Sequence, residues 1–507
     1  MGATAAVIAG AGLAGCSSSE SGGSTSAGTS TSAASAEGVN WTKEVDVVVV
    51  GLGGAGSAAA IEAHKAGAEV VVLEMTDSGG GSTAVCGGFI FMGGGTGLQK
   101  QFGIEETPDQ YYAYLSAAAG ENANTDFVRL MCDSGAKLYD WCVECGMDFA
   151  SGKIDLEHHL GGNNAGFSLG FSGNEMAKQY AAITPPVPHG HMPQPSSSGE
   201  DIFNALKTTV EAAGIEVLYE TPGKQLLTDE SGRVIGVKAE STEGEVFVKA
   251  NKAVVLTCGG FTNNEEMVKS FYPYPNLLGS GRVAGGTENG SGILMGINVG
   301  AATHAMGCFQ VGRTVVTSTE PLAKGILVDQ IGHRIVAEDE YNSFIGKAIV
   351  QAPTAQCYLI VDDATWNEAD EARKGDAMFS GDSFDEIAAA IGVDPSILAN
   401  TFAFYNESVA QGTDREFGKD PKFLKEFAEG PFHVIYAGTE TCYTGSLGGL
   451  QVDTDAHVLD VEGNVIPGLY SAGRNSGTIY GWYMGSGSSM GDGLTFGRIA
   501  GQNAAAE

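Results

Sequence analysis

Positive charge is scarce in this chain of 507 residues: 27 Lys and Arg stand against 61 Asp and Glu, a net charge of −34. That balance argues against a nucleic acid or an anionic membrane surface as partner. It says nothing about a small substrate. Long apolar runs are missing too, since none reaches the ~20 residues of a membrane-spanning helix. Cysteines number nine, but no four of them have iron–sulfur spacing. The CxxC pair Cys142 and Cys145 lacks the following His of a haem attachment site. It lies in an amphipathic stretch, Phe127 to Gly146, where buried thiols packing the core are the common case, ahead of a redox disulfide or a metal site.

Glycine, by contrast, is abundant at 75 residues, about twice the usual ~7%. The glycines cluster in short loops between apolar runs. Near the start, VDVVVVGLGGAG (Val45 to Gly56) leads into an alanine-rich stretch and then VVVLE, ending at Glu74. This is a strand, a glycine turn, a helix from Ala55 to about Ala66, and a second strand. Gly51 permits the tight turn, Gly53 lets backbone approach a pyrophosphate, and Gly56 lets helix pack on strand. Glu74, about 20 residues on, is placed to hydrogen-bond a ribose hydroxyl. Some four hundred residues later come GLYSAGR (Gly468 to Arg474) and GWYMGSGSSMGDG (Gly481 to Gly493). One glycine fingerprint alone is weak; this pair in this order points to a flavin dinucleotide, FAD.

The rest of the chain fits around that pair. A glycine–hydroxyl loop, Gly79 to Gly88, suits a diphosphate or flavin edge. Helices are expected over about Pro108 to Gly146. From Gly214 the period drops to two, and EVLYE, RVIGVKAE and EVFVKA read as an antiparallel meander returning to a buried strand at Ala253 to Thr257. The fold class expected is α/β: a Rossmann-like FAD-binding domain with an antiparallel meander (41–285 and 439–507), interrupted by an α+β cap, or substrate, domain (286–438). Helices are expected in the cap near Ser383 to Ile391 and Ser396 to Gln411. Residues 1–15 read as the end of a lipoprotein export signal, LAGC, with Cys16 as the lipidated residue. The basic region of a complete signal is lacking, so the natural start is expected upstream. Residues 16–40 read as a flexible Ser-rich tether. On these features the protein is expected to be exported to the cell envelope, at the outer face of the cytoplasmic membrane, with a lipid on Cys16 as its sole link to that membrane.

Taken together, these motifs, with GHRIVAEDEY (Gly332 to Tyr341) and GDGLTFGRIAG near the end, resemble the flavoprotein superfamily of fumarate reductase, succinate dehydrogenase and 3-ketosteroid dehydrogenases. The resemblance covers about residues 44 to 504. It implies non-covalent FAD, held by Gly51, Gly53, Gly54, Ala55, Gly56, Glu74, Met75, Gly81, Ser82, Thr83, Gly87, Gly88, Gly259, Gly473, Arg474, Ser488, Ser489 and Met490. Dicarboxylate reductases of the superfamily use two arginines and a histidine where this chain has Asn342, Met484 and Gly445. Without such donors a dianion is poorly held.

Tyrosines stand in their place, as in the steroid dehydrogenases. The resemblance implies Tyr483 and the Gly487 N–H as donors to a substrate carbonyl oxygen, and Tyr341 for proton transfer. The segments SGNE (Ser172 to Glu175) and PPVPHGHMP (Pro185 to Pro193) resemble 3-ketosteroid 4-ene dehydrogenases, except that their usual arginine is His189 here. His189 and His191, spaced HxH in a proline-rich loop, are expected to be surface or loop-bracing residues rather than metal ligands. Asp492 is expected to cap the last helix. The activity implied is hydride exchange with an apolar 3-ketosteroid-like enone, an urocanate- or cinnamate-like acid being the alternative. Electrons must then be exchanged with an external donor or acceptor, a quinol or a cytochrome.

Overall fold

A computed structural model describes residues 34–507 apart from 122, 157–165, 273, 275–279, 283–284, 313–319, 355, 370, 372–376 and 480. Cys16 and the expected export signal lie outside the described residues. At the centre is a mixed sheet. Lys43–Val50 (KEVDVVVV) has four consecutive buried valines at its C-terminal end. Such a run suits a strand covered on both faces. It pairs in parallel with Val70–Leu73 on one side and with Gly244–Leu256 on the other. Val465–Ser471 adds a further parallel strand beyond Gly244–Leu256. The register brings Val50 level with Leu73 and Leu256, and Leu256 level with Ser471. The carboxyl ends of these strands therefore open on one edge, where ligands of open α/β sheets bind.

Gly244–Leu256 belongs to two architectures at once. Its first half pairs antiparallel with Val234–Ser241, which pairs in turn with Gly223–Thr228. This is the expected meander, with one correction. The stretch EVLYE contributes Glu216–Leu218 as an outer parallel strand beside Val70–Leu73, and the meander begins at Gly223 instead. Both segments alternate at period two, so the pattern alone could not assign either to a partner. A second correction concerns the tether, whose end Ala34–Ser35 pairs in parallel with Leu227 and Thr228.

The cap lies between the two glycine-rich ends. Ile326–Asp329, Cys357–Asp362, Phe432–Tyr436 and Phe379–Gly381 form an antiparallel sheet. Helices Phe384–Ile391 and Pro395–Ala410 cover it, close to where they are expected. Ile326, Val328, Ile387, Phe402, Phe432 and Val434 belong to a hydrophobic cluster of its own. Among the described residues no helix is long and apolar enough to cross a membrane.

One contact joins the two ends of the chain. Helix Gly54–Lys65 (GAGSAAAIEAHK) follows the first strand, and helix Ser488–Ala506 is the last element. A Cβ on Gly497 would stand 2.5 Å from the Ala55 carbonyl oxygen, and one on Gly501 2.2 Å from that of Ala59. The contacts advance along both helices together, so the helices run parallel at backbone contact. Gly497→Ala is expected to force them apart and to cost about 1–3 kcal/mol as an overpacked core position. Chemical denaturation of the FAD-loaded protein against the wild type would measure this.

Candidate active site

Both helices begin at one cavity of about 920 Å³ at the carboxyl edge of the sheet. Of the residues expected to hold cofactor, Gly51, Gly53, Gly54, Ala55, Glu74, Met75, Gly81, Ser82, Thr83, Gly87, Gly259, Gly473, Arg474, Ser489 and Met490 line it. Gly56, Gly88 and Ser488 do not. Gly56 lies beneath the turn, where a Cβ would meet the Gly51 carbonyl oxygen at 1.9 Å. Gly88 faces Ser197, and Ser488 is buried as the first residue of the last helix.

The glycines separate by what forbids a side chain. At Gly51 and Gly56 the protein does: a Cβ on Gly51 would sit 2.6 Å from the Thr257 carbonyl oxygen. At Gly53 the nearest protein atom is 3.8 Å away, so its missing side chain leaves room for a ligand beside a helix N-terminus. That suits a diphosphate, which the N-terminal amides and helix dipole favour. Around this opening, Gly54 N–H donates to Thr83 Oγ1 at 2.8 Å, and Leu52 N–H donates to Glu74 Oε2 at 2.7 Å. Thr76 holds the other Glu74 oxygen at 2.8 Å. The carboxylate is thereby fixed at the end of the second strand. On the far wall Glu288 receives Ser82 Oγ at 2.5 Å and pairs with Arg474. Arg474 comes from the C-terminal motif and Ser82 from the N-terminal loop, so this cluster ties the two halves across the cavity.

Tyr483 and Gly487 line the same cavity. Gly487 is the N-cap of the last helix at φ 86°, a left-handed conformation glycine tolerates best. Burial pushes the Tyr483 hydroxyl up to about 12, while the neighbouring Ser488 hydroxyl and Gly487 backbone pull it down. Tyr341 does not line the cavity; it sits just behind it, its hydroxyl 3.0 Å from Ser486 Oγ, which does. Burial, with Tyr483 and Tyr443 nearby, keeps the Tyr341 phenol well above the ordinary tyrosine range. Tyr443 was not foreseen. It reaches the cavity from strand Tyr443–Ser446, and no local motif marks it. Gln310 and Glu288 line the cavity equally without a sequence signal, and Cys86 lines it from within the expected Gly79 to Gly88 loop.

Two expectations need revision. Asp492 caps nothing: it is the fifth residue of the last helix, buried, with Thr478 Oγ1 donating to its Oδ1. His189 and His191 are not on the surface but fully interior. His189 Nε2 lies 2.9 Å from Glu106 Oε1, and His191 Nε2 2.9 Å from Thr96 Oγ1, so the bracing role holds and the surface one does not. Cys142 and Cys145 are free and buried, as core packing requires.

A profile of the FAD-binding domain family matches residues 46–490. The chain belongs to that family. It is similar to the crystal structure of 3-ketosteroid-Δ4-(5α)-dehydrogenase from Rhodococcus jostii RHA1 in complex with 4-androstene-3,17-dione. The identity is 33%, with 94% of this chain and 99% of that one covered at a TM-score of 0.86. Urocanate reductase of Eggerthella lenta is 29% identical over 92% of this chain and 75% of its own length. NADH:fumarate oxidoreductase of Klebsiella pneumoniae is also 29% identical, over 91% of this chain, which spans 48% of that protein's length. The protein is thus an FAD-dependent oxidoreductase of the fumarate reductase and steroid dehydrogenase group, acting on CH–CH bonds.

Asp492, buried within the last helix, gives the fold a pH signature. Burial, opposed only by Thr478, pushes its carboxyl up to about 7. A folded pKa above the unfolded value means a stabilising contribution present below about pH 4 and lost as pH rises through 7. Asp492→Asn is expected to remove that decline, read as a flatter melting temperature between those two pH values.

Proposed function

We propose that this enzyme reduces the activated C=C bond of an apolar, 3-ketosteroid-like enone. The observation that carries it is the pairing of every cation on the cavity wall. Among the described lining residues those cations are Arg474 and Lys224. Arg474 is neutralised by Glu288, and Lys224 lies 3.3 Å from Glu240. The catalytic end offers hydroxyls and a backbone amide instead, enough for one carbonyl oxygen and too little for a dianion. The likeness to the Rhodococcus enzyme, crystallised with a 3-ketosteroid, supports the same reading.

FAD, held non-covalently by the glycine cradle, supplies hydride chemistry at this site. The Tyr483 hydroxyl and the Gly487 N–H donate to the substrate carbonyl oxygen. Charge grows there as the β carbon is reduced, so preorganised donors lower the barrier. Tyr341 supplies the proton for the α carbon through the Ser486 hydroxyl, which lies 3.0 Å from it and lines the cavity. A phenol held well above its usual range stays protonated at neutral pH. In this reading it is therefore the proton donor that ene reduction needs. Electrons arrive from an external quinol or cytochrome. The second reading, an unsaturated acid such as urocanate, rests on the likeness to urocanate reductase.

The test is anaerobic reoxidation of the reduced protein, followed at the ~450 nm flavin band, with a 4-ene-3-ketosteroid, urocanate and fumarate in parallel. Fast reoxidation by the steroid alone is expected. Tyr341→Phe should then slow it by about 10²–10⁴-fold, the range of a lost general acid. Tyr483→Phe should slow it by about 10²-fold or more. Reoxidation by an acid alone would sink the steroid assignment.

A further inference from the structure

We propose that His189, wedged between the Glu106 and Glu175 carboxylates, is a positioning residue that sets the tyrosine site through the turn Ser172 to Glu175. The inference rests on the reductase reading only for its kinetic arm. His189 belongs to the loop ending at His191 and touches neither cavity nor substrate. Its Nε2 lies 2.9 Å from Glu106 Oε1, and its Nδ1 lies 3.5 Å from Glu175 Oε1. The three side chains are at most 2% exposed. The imidazole stacks on Tyr111 at 4.7 Å and Tyr114 at 4.9 Å between ring centres, and Phe91 lies tilted against it at 5.1 Å. Such packing leaves it one orientation.

Glu175 organises the turn from within. Its Oε1 receives the Ser172 N–H at 2.9 Å and the Ser172 hydroxyl at 2.8 Å, and its Oε2 receives the Gly173 N–H at 2.9 Å. Of the turn's next three contacts, two reach the tyrosine site and the third returns to a ring stacked on His189. The Ser172 carbonyl oxygen accepts from the Ser486 N–H at 3.1 Å. Gly173 lies against the Tyr341 ring so closely that a Cβ would stand 2.0 Å from it. Asn174 Oδ1 accepts from the Tyr114 hydroxyl. One buried carboxylate therefore fixes Ser486, Tyr341 and Tyr114 together.

The charge on that carboxylate depends on its neighbours. Two buried carboxylates with no cation between them would be costly. Burial alone would lower the His189 pKa, but the charges of Glu106 and Glu175 outweigh it and hold the ring up at about 9. Burial likewise disfavours ionised Glu106 and Glu175, and His189 keeps both below the usual carboxyl range. The other titratable groups facing this cluster stay neutral: burial lowers His191 to about 4 and raises Tyr114 well above its normal value. Cys132, near Glu106, is likewise raised by burial. The histidine's folded pKa lies above its unfolded value. The clamp is thus intact below about pH 6.5 and is lost as pH rises through about 9.

The experiment compares FAD-loaded wild type, His189→Gln and Glu106→Gln by amide hydrogen exchange at Gly173 and Ser486, and by kcat and KM with a 4-ene-3-ketosteroid across pH. In the wild type, exchange protection at both amides and kcat should fall together with a midpoint near 9. In Glu106→Gln that midpoint should drop by about one pH unit or more, since one of two carboxylates is lost. In His189→Gln the transition should vanish. There kcat should fall about tenfold or more, with KM within about threefold, as misplacement of catalytic groups predicts. A wild-type profile without the transition, or a His189→Gln protein that retains it, overturns the proposal. If His189→Gln does not fold, an unmoved midpoint in Glu106→Gln overturns it. If the steroid is not turned over but exchange follows the expected order in the variants, the positioning role stands and the substrate assignment falls.

Discussion

Everything at this site depends on two helices touching backbone to backbone. Ala55 and Ala59 of the first helix meet Gly497 and Gly501 of the last at distances no side chain would permit. The contact is parallel, so both N-termini open on the same cavity, and both contribute residues to its lining. Two positive helix ends at one place would repel each other in the absence of an anion. A dinucleotide diphosphate supplies that anion. Small residues in two motifs some four hundred positions apart are therefore a single packing requirement, met by alanines on one helix and glycines on the other.

Around that contact the electrostatics divide cleanly. Near the glycine cradle, charges are present and paired: Arg474 with Glu288, and Glu74 with the Leu52 amide and Thr76. At the tyrosine end the groups that reach the cavity are neutral donors, Tyr483, Tyr443 and Ser486. Burial lifts the phenols further from ionisation. Such an end stabilises charge that appears only during reaction, and repays little to a substrate that arrives charged. The buried ions, Glu106, His189 and Glu175, stand one layer back, where they shape the loop without entering the cavity.

What could be read in advance follows from the range of each signal. The glycine fingerprint, Glu74 and the last glycine-rich turn are local patterns with local causes, and nearly all of their residues line the cavity. Helices Pro395–Ala410 and Phe384–Ile391 carry caps and periodicity of their own, so their place was legible too. Tyr443, Glu288 and the His189 cluster have no such signature. Each acquires its meaning from a partner tens to hundreds of residues away: Glu288 from Ser82 and Arg474, His189 from Glu106. The segment Glu216–Leu218 failed for a related reason, since period-two alternation gives the faces of a strand and not its neighbour. Asp492 was misjudged because the last helix begins one turn earlier than its glycines suggest.

The parallel helix contact has a consequence for the order of events during synthesis. The first strand, turn and helix emerge early but present only half of a cradle. Gly473, Arg474 and the Gly487 helix start complete it, and they follow only some four hundred residues later. Loop closure over that separation is slow by comparison with local structure. The cap, with its antiparallel sheet and its own apolar cluster, has what it needs to condense while the chain is still growing. Flavin capture then waits until both halves of the cradle have met, and the yellow colour of the loaded protein marks that meeting.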